Sequence, residues 1–183
     1  MPAAQSRPLH DTRPRRPMKG PGRVQQRGGI RRWVIAAAWL ACVAGCQSKL
    51  PYEGKSAAEL EQMLRGPDPV AQAQGALGLS RLGPAAGDAV PALTEALKSP
   101  DALVRQNAAL ALGEVGPAAK AAVPGLAELL KDGQWAVRRQ AAVALGRIGP
   151  DAKPALPGLE RLTKDKNSLV RKAATEAAAK VKR

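Results

Sequence analysis

The chain has almost no aromatic residues: no phenylalanine, one tyrosine and three tryptophans in 183 residues. Its 45% hydrophobic content is therefore mostly alanine, leucine and valine, too much for a globally disordered chain and better suited to closely packed helices than to strands. Histidine is nearly absent as well, His10 being the only one. Residues 46–183 therefore hold no Ser/His/Asp or Cys/His constellation, and no phosphate-loop pattern occurs there. The two cysteines, Cys42 and Cys46, lie four residues apart, and no cysteine follows Cys46 to supply a disulfide or a thiolate metal site within residues 47–183. Long hydrophobic runs are also missing. The longest, Trp33 to Gly45, has thirteen residues and is too short to span a bilayer as a helix.

What is abundant is positive charge, +14 overall, but it is concentrated at the ends. Residues 1–45 carry nine Lys/Arg and one acid, and residues 161–183 carry eight and two. The body, residues 46–160, is neutral with twelve charges of each sign. A nucleic-acid-binding body is thus disfavoured.

Lys19, Arg23, Arg27, Arg31 and Arg32 precede the thirteen-residue apolar run, and small residues close it, which is the layout of a secretory signal. The closing residues Val43-Ala44-Gly45-Cys46 resemble the lipobox of bacterial lipoproteins. That resemblance implies that Cys46 is acylated and becomes the mature amino terminus, anchoring the protein to a membrane. Several acyl chains on one cysteine make such attachment stable. Met18, closer to the basic flank, is a more natural start than Met1. The Arg31-Arg32 pair has poor twin-arginine flanks and is read as ordinary basic flank. The expected organisation is an extension and signal over 1–45, a short linker over 46–55 and one helical domain over 56–183. The expected location is the cell envelope, lipid-anchored on the extracytoplasmic side, which is the periplasm in a diderm.

The domain repeats every 33 residues. Blocks 68–100, 101–133 and 134–166 align without a gap, flanked by half-repeats 56–67 and 167–183. The pattern predicts about eight helices, two per block. Asp68, Asp101 and Asn167 can cap the first helices, Gln134 less well, and Ser56 with Glu59 forms a capping box. Each first helix stops at Gly83, Gly116 or Gly149, followed by Pro84, Pro117 or Pro150. Pro91, Pro124 and Pro157 fall in the first turn of the second helices, where a missing N–H costs little. Val90, Leu93 and Leu97, with Val123, Leu126 and Leu130 one block on, form an apolar stripe that only a stacked neighbour can bury.

The motif V-R-x-x-A-A-x-A-L-G-x-I-G-P, followed by V-P-x-L-x-x-L-L-K-D, resembles bacterial HEAT repeats and the HEAT-like repeats of phycobilin lyases, over about Ser56 to Val181. This implies an all-α, right-handed α-solenoid, with the second helices lining its concave face. It also implies that Arg105, Arg138 and Arg171, with Asp132 and Asp165, form an internal ladder between repeats. A second column, Arg65, Lys98, Lys131 and Lys164, ends the second helices. It reads either as a basic stripe for an acidic partner or as cations at helix C-termini, with Glu95 and Glu128 as local partners. Trp135 aligns with Ala102 and Ser168, which points to exposure, and it reads either as a partner contact or as a side chain folded back over a loop.

The expected function is a non-enzymatic scaffold for a protein partner of the envelope, monomeric and cofactor-free. Two alternatives stand beside it. One is bilin-lyase-like chemistry; the deoxyhypusine hydroxylases resemble HEAT arrays but use His-Glu iron ligands, and metal oxygenase chemistry is not expected here because the single histidine, His10, lies in the segment read as removed. The other is binding of anionic lipid or nucleic acid through Lys164 to Arg183, although an exported protein rarely meets nucleic acid.

Overall fold

The computed structural model describes residues 50–183; the signal segment and Cys46 lie outside the described residues. Among the described residues there are eight α-helices, three 3₁₀ segments and no strand. The first helices are α2 (Pro69–Leu82), α4 (Ala102–Val115), α6 (Trp135–Ile148) and α8 (Ser168–Val181). The second helices are α1 (Ala57–Arg65), α3 (Val90–Ala96), α5 (Val123–Leu129) and α7 (Leu156–Leu162). The protein is an α-solenoid.

Capping explains the starts. Asp68 accepts from the amides of Val70 and Ala71, Asp101 from those of Leu103 and Val104, and Asn167 from that of Leu169. The Gln134 side chain caps nothing. Ser56 and Glu59 exchange side-chain and backbone bonds as a capping box.

The stops differ in detail from the expected left-handed cap. Gly83, Gly116 and Gly149 have φ of 56, 72 and 79°, but ψ near −130 to −138°, a region open essentially to glycine alone. The following proline then blocks an α-helix, so the chain tightens into 3₁₀ segments at Gly83–Ala89, Gly116–Ala122 and Gly149–Ala155. Alanines 86, 89, 119, 122, 152 and 155 bury these segments against the stack.

The core is built from columns 33 residues apart. Leu60, Leu93, Leu126 and Leu159 form one, Leu79, Leu112 and Leu145 a second, and Val104, Val137 and Val170 a third, all nearly fully buried. Each such side chain contributes roughly 1.5–3 kcal/mol of burial. The segment read as a linker also reaches this core, since Tyr52 is buried in it with the Arg81 guanidinium 5.2 Å from its ring centroid.

The low aromatic content has its reason in the first-helix layer. Each first helix brings its backbone close to the next, whereas successive second helices stand further apart and meet through leucine side chains, Leu97 against Gly125 and Leu130 against Gly158. Gly113 lies against Ala144, and Gly146 against Ala177, so closely that an added Cβ would sit 3.0 and 2.9 Å from the facing Cα. A stack whose two layers differ in spacing bends toward the tighter one. The first helices, and not the second as the resemblance implied, therefore line the inner side.

Candidate interaction surface

The repeating arginines lie at the junctions between blocks. Arg105 Nη1 donates to the carbonyls of Ser99 and Pro100 at 2.8 and 2.9 Å, while Nε and Nη2 form a fork onto Asp132 at 2.8 and 3.2 Å. Arg138 repeats this with the carbonyls of Asp132 and Gly133 and the carboxylate of Asp165. Arg171 makes only the carbonyl contacts, to Asp165 and Lys166. Each aspartate also accepts from a backbone amide at the start of the next helix, that of Gln134 or Asn167. One rung therefore ties together three consecutive segments.

The first block lacks this rung, and both partners change together. Gln72 stands in the arginine column and donates to the Gly66 carbonyl at 2.7 Å, while Ser99 stands in the aspartate column and accepts from the Asp101 amide. A groove of about 280 Å³ opens there, lined by Arg65, Gln72, Lys98 and Ser99 among others. Comparison of columns 72/105/138/171 and 99/132/165 shows this paired loss in the sequence itself.

Charge pairing in the rungs sets a pH dependence. Burial pushes the Asp132 carboxyl up, but the Arg105 hydrogen bond, the Gln134 amide and the nearby guanidinium charges outweigh it, so its pKa lies below the ordinary 3.8. The Arg138 hydrogen bond is the main cause that lowers Asp165, against burial. Since the folded values are depressed, the rungs contribute fully above pH 3.8 and lose their contribution as pH falls through the folded values. Thermal unfolding followed from about pH 6 to about pH 2 should show the steepest loss below about pH 4 in the wild type, and a shallower one in Asp132→Asn/Asp165→Asn.

The second basic column is largely satisfied locally. Arg65 pairs with Glu61 at 2.7 Å, Lys98 with Glu95 at 3.2 Å and Lys131 with Glu128 at 3.5 Å, all exposed pairs. At the fourth position Arg161 replaces the glutamate, so Lys164 stands beside another cation. Exposed pairs of this kind contribute little to stability.

Trp135 is 42% exposed, and it does not stand alone. Val70, Leu103 and Leu169 share one repeat column at the starts of α2, α4 and α8 and are 62, 55 and 49% exposed. Ala136 takes that column in α6, with Trp135 one residue before it. This apolar row is readable in column 70/103/136/169 once the residues facing the core are set aside. Between α2 and α4 it deepens into a groove of about 310 Å³ lined by Val70, Ala73, Gln74, Leu77, Leu103 and Asn107. Asn107 is buried and donates to the Ala73 carbonyl at 2.9 Å, tying α4 to α2 beneath the groove.

Among the described residues, no group of three or more His, Cys, Asp or Glu is placed to hold a metal, and no helix is long and apolar enough to cross a membrane. No buried side-chain polar atom among them lacks a hydrogen-bond partner. The described surface is one of grooves and rows on stacked helices.

That architecture defines the class, a helical repeat protein built of stacked helix pairs. The chain belongs to the HEAT-repeat family, whose model matches residues 57–132 and 118–179. No curated protein matches its sequence. Among solved structures it is similar to the complex of CpcE and CpcF of phycocyanin lyase from Nostoc sp. PCC7120, with 26% identity and a TM-score of 0.60 over 85% of this chain and 61% of that one. It is similar also to human deoxyhypusine hydroxylase, with 28% identity and a TM-score of 0.53 over 81% and 54%. A designed armadillo repeat protein in complex with the peptide (KR)4 shares the fold at 18% identity and a TM-score of 0.60, over 67% and 62%. The chain spans about three fifths or less of the length of these structures.

Proposed function

We propose that this protein is a non-enzymatic scaffold that holds a protein partner at the cell envelope, tethered through a lipid on Cys46. The observation that carries the binding role is the exposed apolar row of Val70, Leu103, Trp135 and Leu169, continuous with an apolar groove. Exposed apolar residues aligned at a fixed repeat spacing are characteristic of a binding surface, whereas isolated ones need no explanation. The similarity to a two-subunit lyase complex and to a peptide-bound armadillo design fits a surface that receives another polypeptide.

The tether rests on the Val43-Ala44-Gly45-Cys46 pattern behind a basic flank and a short apolar run. Intact mass and fractionation of the protein from its native cells test it. The expected mature species begins at an acylated Cys46, and Cys46→Ala releases the chain from the membrane or leaves it unprocessed. A wild-type chain that retains residues 1–45 and fractionates with the cytosol overturns the envelope assignment. Partner capture from detergent-solubilised envelopes tests the scaffold. A saturable partner supports it, and none across a concentration series overturns it.

The likeness to phycocyanin lyase favours one second reading, participation in bilin attachment. Covalent transfer on incubation with a bilin and an acceptor protein would support that reading against the scaffold.

A further inference from the structure

Building on the scaffold reading, we propose that the partner contributes an extended segment in which apolar residues are followed by a block of acidic ones, bound across the inner face of the first helices. The apolar part occupies the groove between α2 and α4, and the acidic part lies over Arg139 and Lys172.

Helical spacing puts one set of residues on this face of every first helix. Positions i, i+3, i+4 and i+7 share one stripe of a helix, so Leu103, Gln106, Asn107 and Leu110 stand together on α4, opposite the buried Leu112. Shifting by 33 residues gives the same stripe on its neighbours. On α2 it is Val70, Ala73, Gln74 and Leu77, on α6 Ala136, Arg139, Gln140 and Val143, and on α8 Leu169, Lys172, Ala173 and Glu176.

Read across the stack, one column changes character in order: Ala73, Gln106, Arg139, Lys172. The face is apolar where the groove opens and cationic two helices further on. Both cations are exposed, and neither forms an ion pair among the described residues. By contrast Arg147, further along α6, is paired with Glu114 of α4, and the cations ending α1, α3 and α5 are paired with acids on their own helices. Glu176 and Lys180 follow Lys172 along the same stripe of α8, so the unpaired cations Arg139, Lys172 and Lys180 outnumber one carboxylate there, and charge complementarity favours an acidic segment.

The groove supplies the other half of the selection. Val70, Leu77 and Leu103 give it apolar walls for aliphatic side chains, and the half-buried Gln74 carboxamide among them suits the N–H and C=O groups of an extended backbone. Adjacent helices stand about 10 Å apart, so Arg139 and Lys172 lie about 10 and 20 Å beyond Leu103. An extended chain covers that in about three and six residues. A bilayer surface or a nucleic acid offers anionic charge without a short apolar segment fixed at that distance from it.

Fluorescence anisotropy on the full-length protein in detergent tests the proposal. The probe is a labelled twelve-residue peptide with a leucine/isoleucine block and a glutamate block separated by two serines; a peptide of the same composition with the two residue types interleaved is the control. The block peptide is expected to bind at least tenfold more tightly than the control. Arg139→Glu/Lys172→Glu is expected to weaken it tenfold or more, and so is Leu103→Ser. Lys98→Glu/Lys131→Glu, in the turns that follow α3 and α5, should leave it unchanged. Circular dichroism melts check that each variant stays folded, as these exposed positions should allow. Equal binding of both peptides, or loss only in the Lys98/Lys131 variant, overturns the proposal. Tighter binding to phosphatidylglycerol vesicles or to a poly-dT oligonucleotide through Arg139 and Lys172 overturns it as well. If the peptide fails while envelope partner capture persists, this inference falls and the scaffold reading stands; if capture fails too, both fall.

Discussion

Arg138→Ala lowers the unfolding free energy by about 3 kcal/mol, the scale for breaking a desolvated ion pair by removing one partner. Arg138 makes four hydrogen bonds, two to the carbonyls of Asp132 and Gly133 and two to Asp165, with only 17% of its side chain exposed. Its removal strands the Asp165 carboxylate, 8% exposed, and leaves two junction carbonyls without their donor. Arg171→Ala is the internal control. That side chain meets two carbonyls and no carboxylate, so its loss should cost about 1 kcal/mol. Arg138→Ala/Asp165→Asn should recover part of the first loss, because the stranded charge is removed with its partner. Chemical denaturation of the four proteins measures all these differences. Equal losses for Arg138→Ala and Arg171→Ala would show that the carboxylate fork contributes nothing.

Gly146→Ala destabilises by about 2 kcal/mol, opposite in sign to the usual effect of replacing a mid-helix glycine, where alanine gains about 1 kcal/mol. The reversal comes from the close approach of α6 and α8. A Cβ at position 146 would lie 2.9 Å from the Ala177 Cα and 3.0 Å from its Cβ, and backbone cannot swing aside as a flexible side chain does. Gly146→Leu should prevent α8 from docking at all. Gly133, in the turn before α6 with nothing within 4 Å of an added Cβ, is an open site where alanine should be tolerated. A stabilising Gly146→Ala would mean that the first-helix layer is looser than its geometry shows.

Much of the fold is legible in the sequence. The 33-residue period, the capping residues, the Gly-Pro stops and the leucine columns are local or periodic signals, and they locate the helices because each rests on backbone chemistry near in sequence. The partners of the arginines are less legible. Asp132 is six residues before Arg138 in the chain, yet its carboxylate binds Arg105, 27 residues away, and only its carbonyl binds Arg138. Sequence proximity cannot separate those roles, because both arginines converge on one junction. The 3₁₀ segments escape a sequence reading because glycine and proline announce the end of a helix without specifying the geometry of the next turn. Tyr52 escapes it because a single aromatic outside the repeat has no periodic counterpart to reveal it as core.

The inner face is hidden for a different reason. The periodic apolar signal comes from residues that build the core, and Leu103, Arg139 and Lys172 lie on the opposite stripe. Which layer is inner depends on helix spacing, which glycine and alanine set together across two repeats.

Photo-crosslinking in native cells tests the central claim most directly, with a photoreactive amino acid placed in turn at Leu103 and Arg139 on the inner face and at Glu95 and Glu128 on the second helices. The account predicts a discrete protein adduct from the inner-face positions, lost when untagged wild-type protein is overproduced as competitor, and none from the second helices. Adducts confined to positions 95 and 128, or no protein adduct at any position, would contradict it.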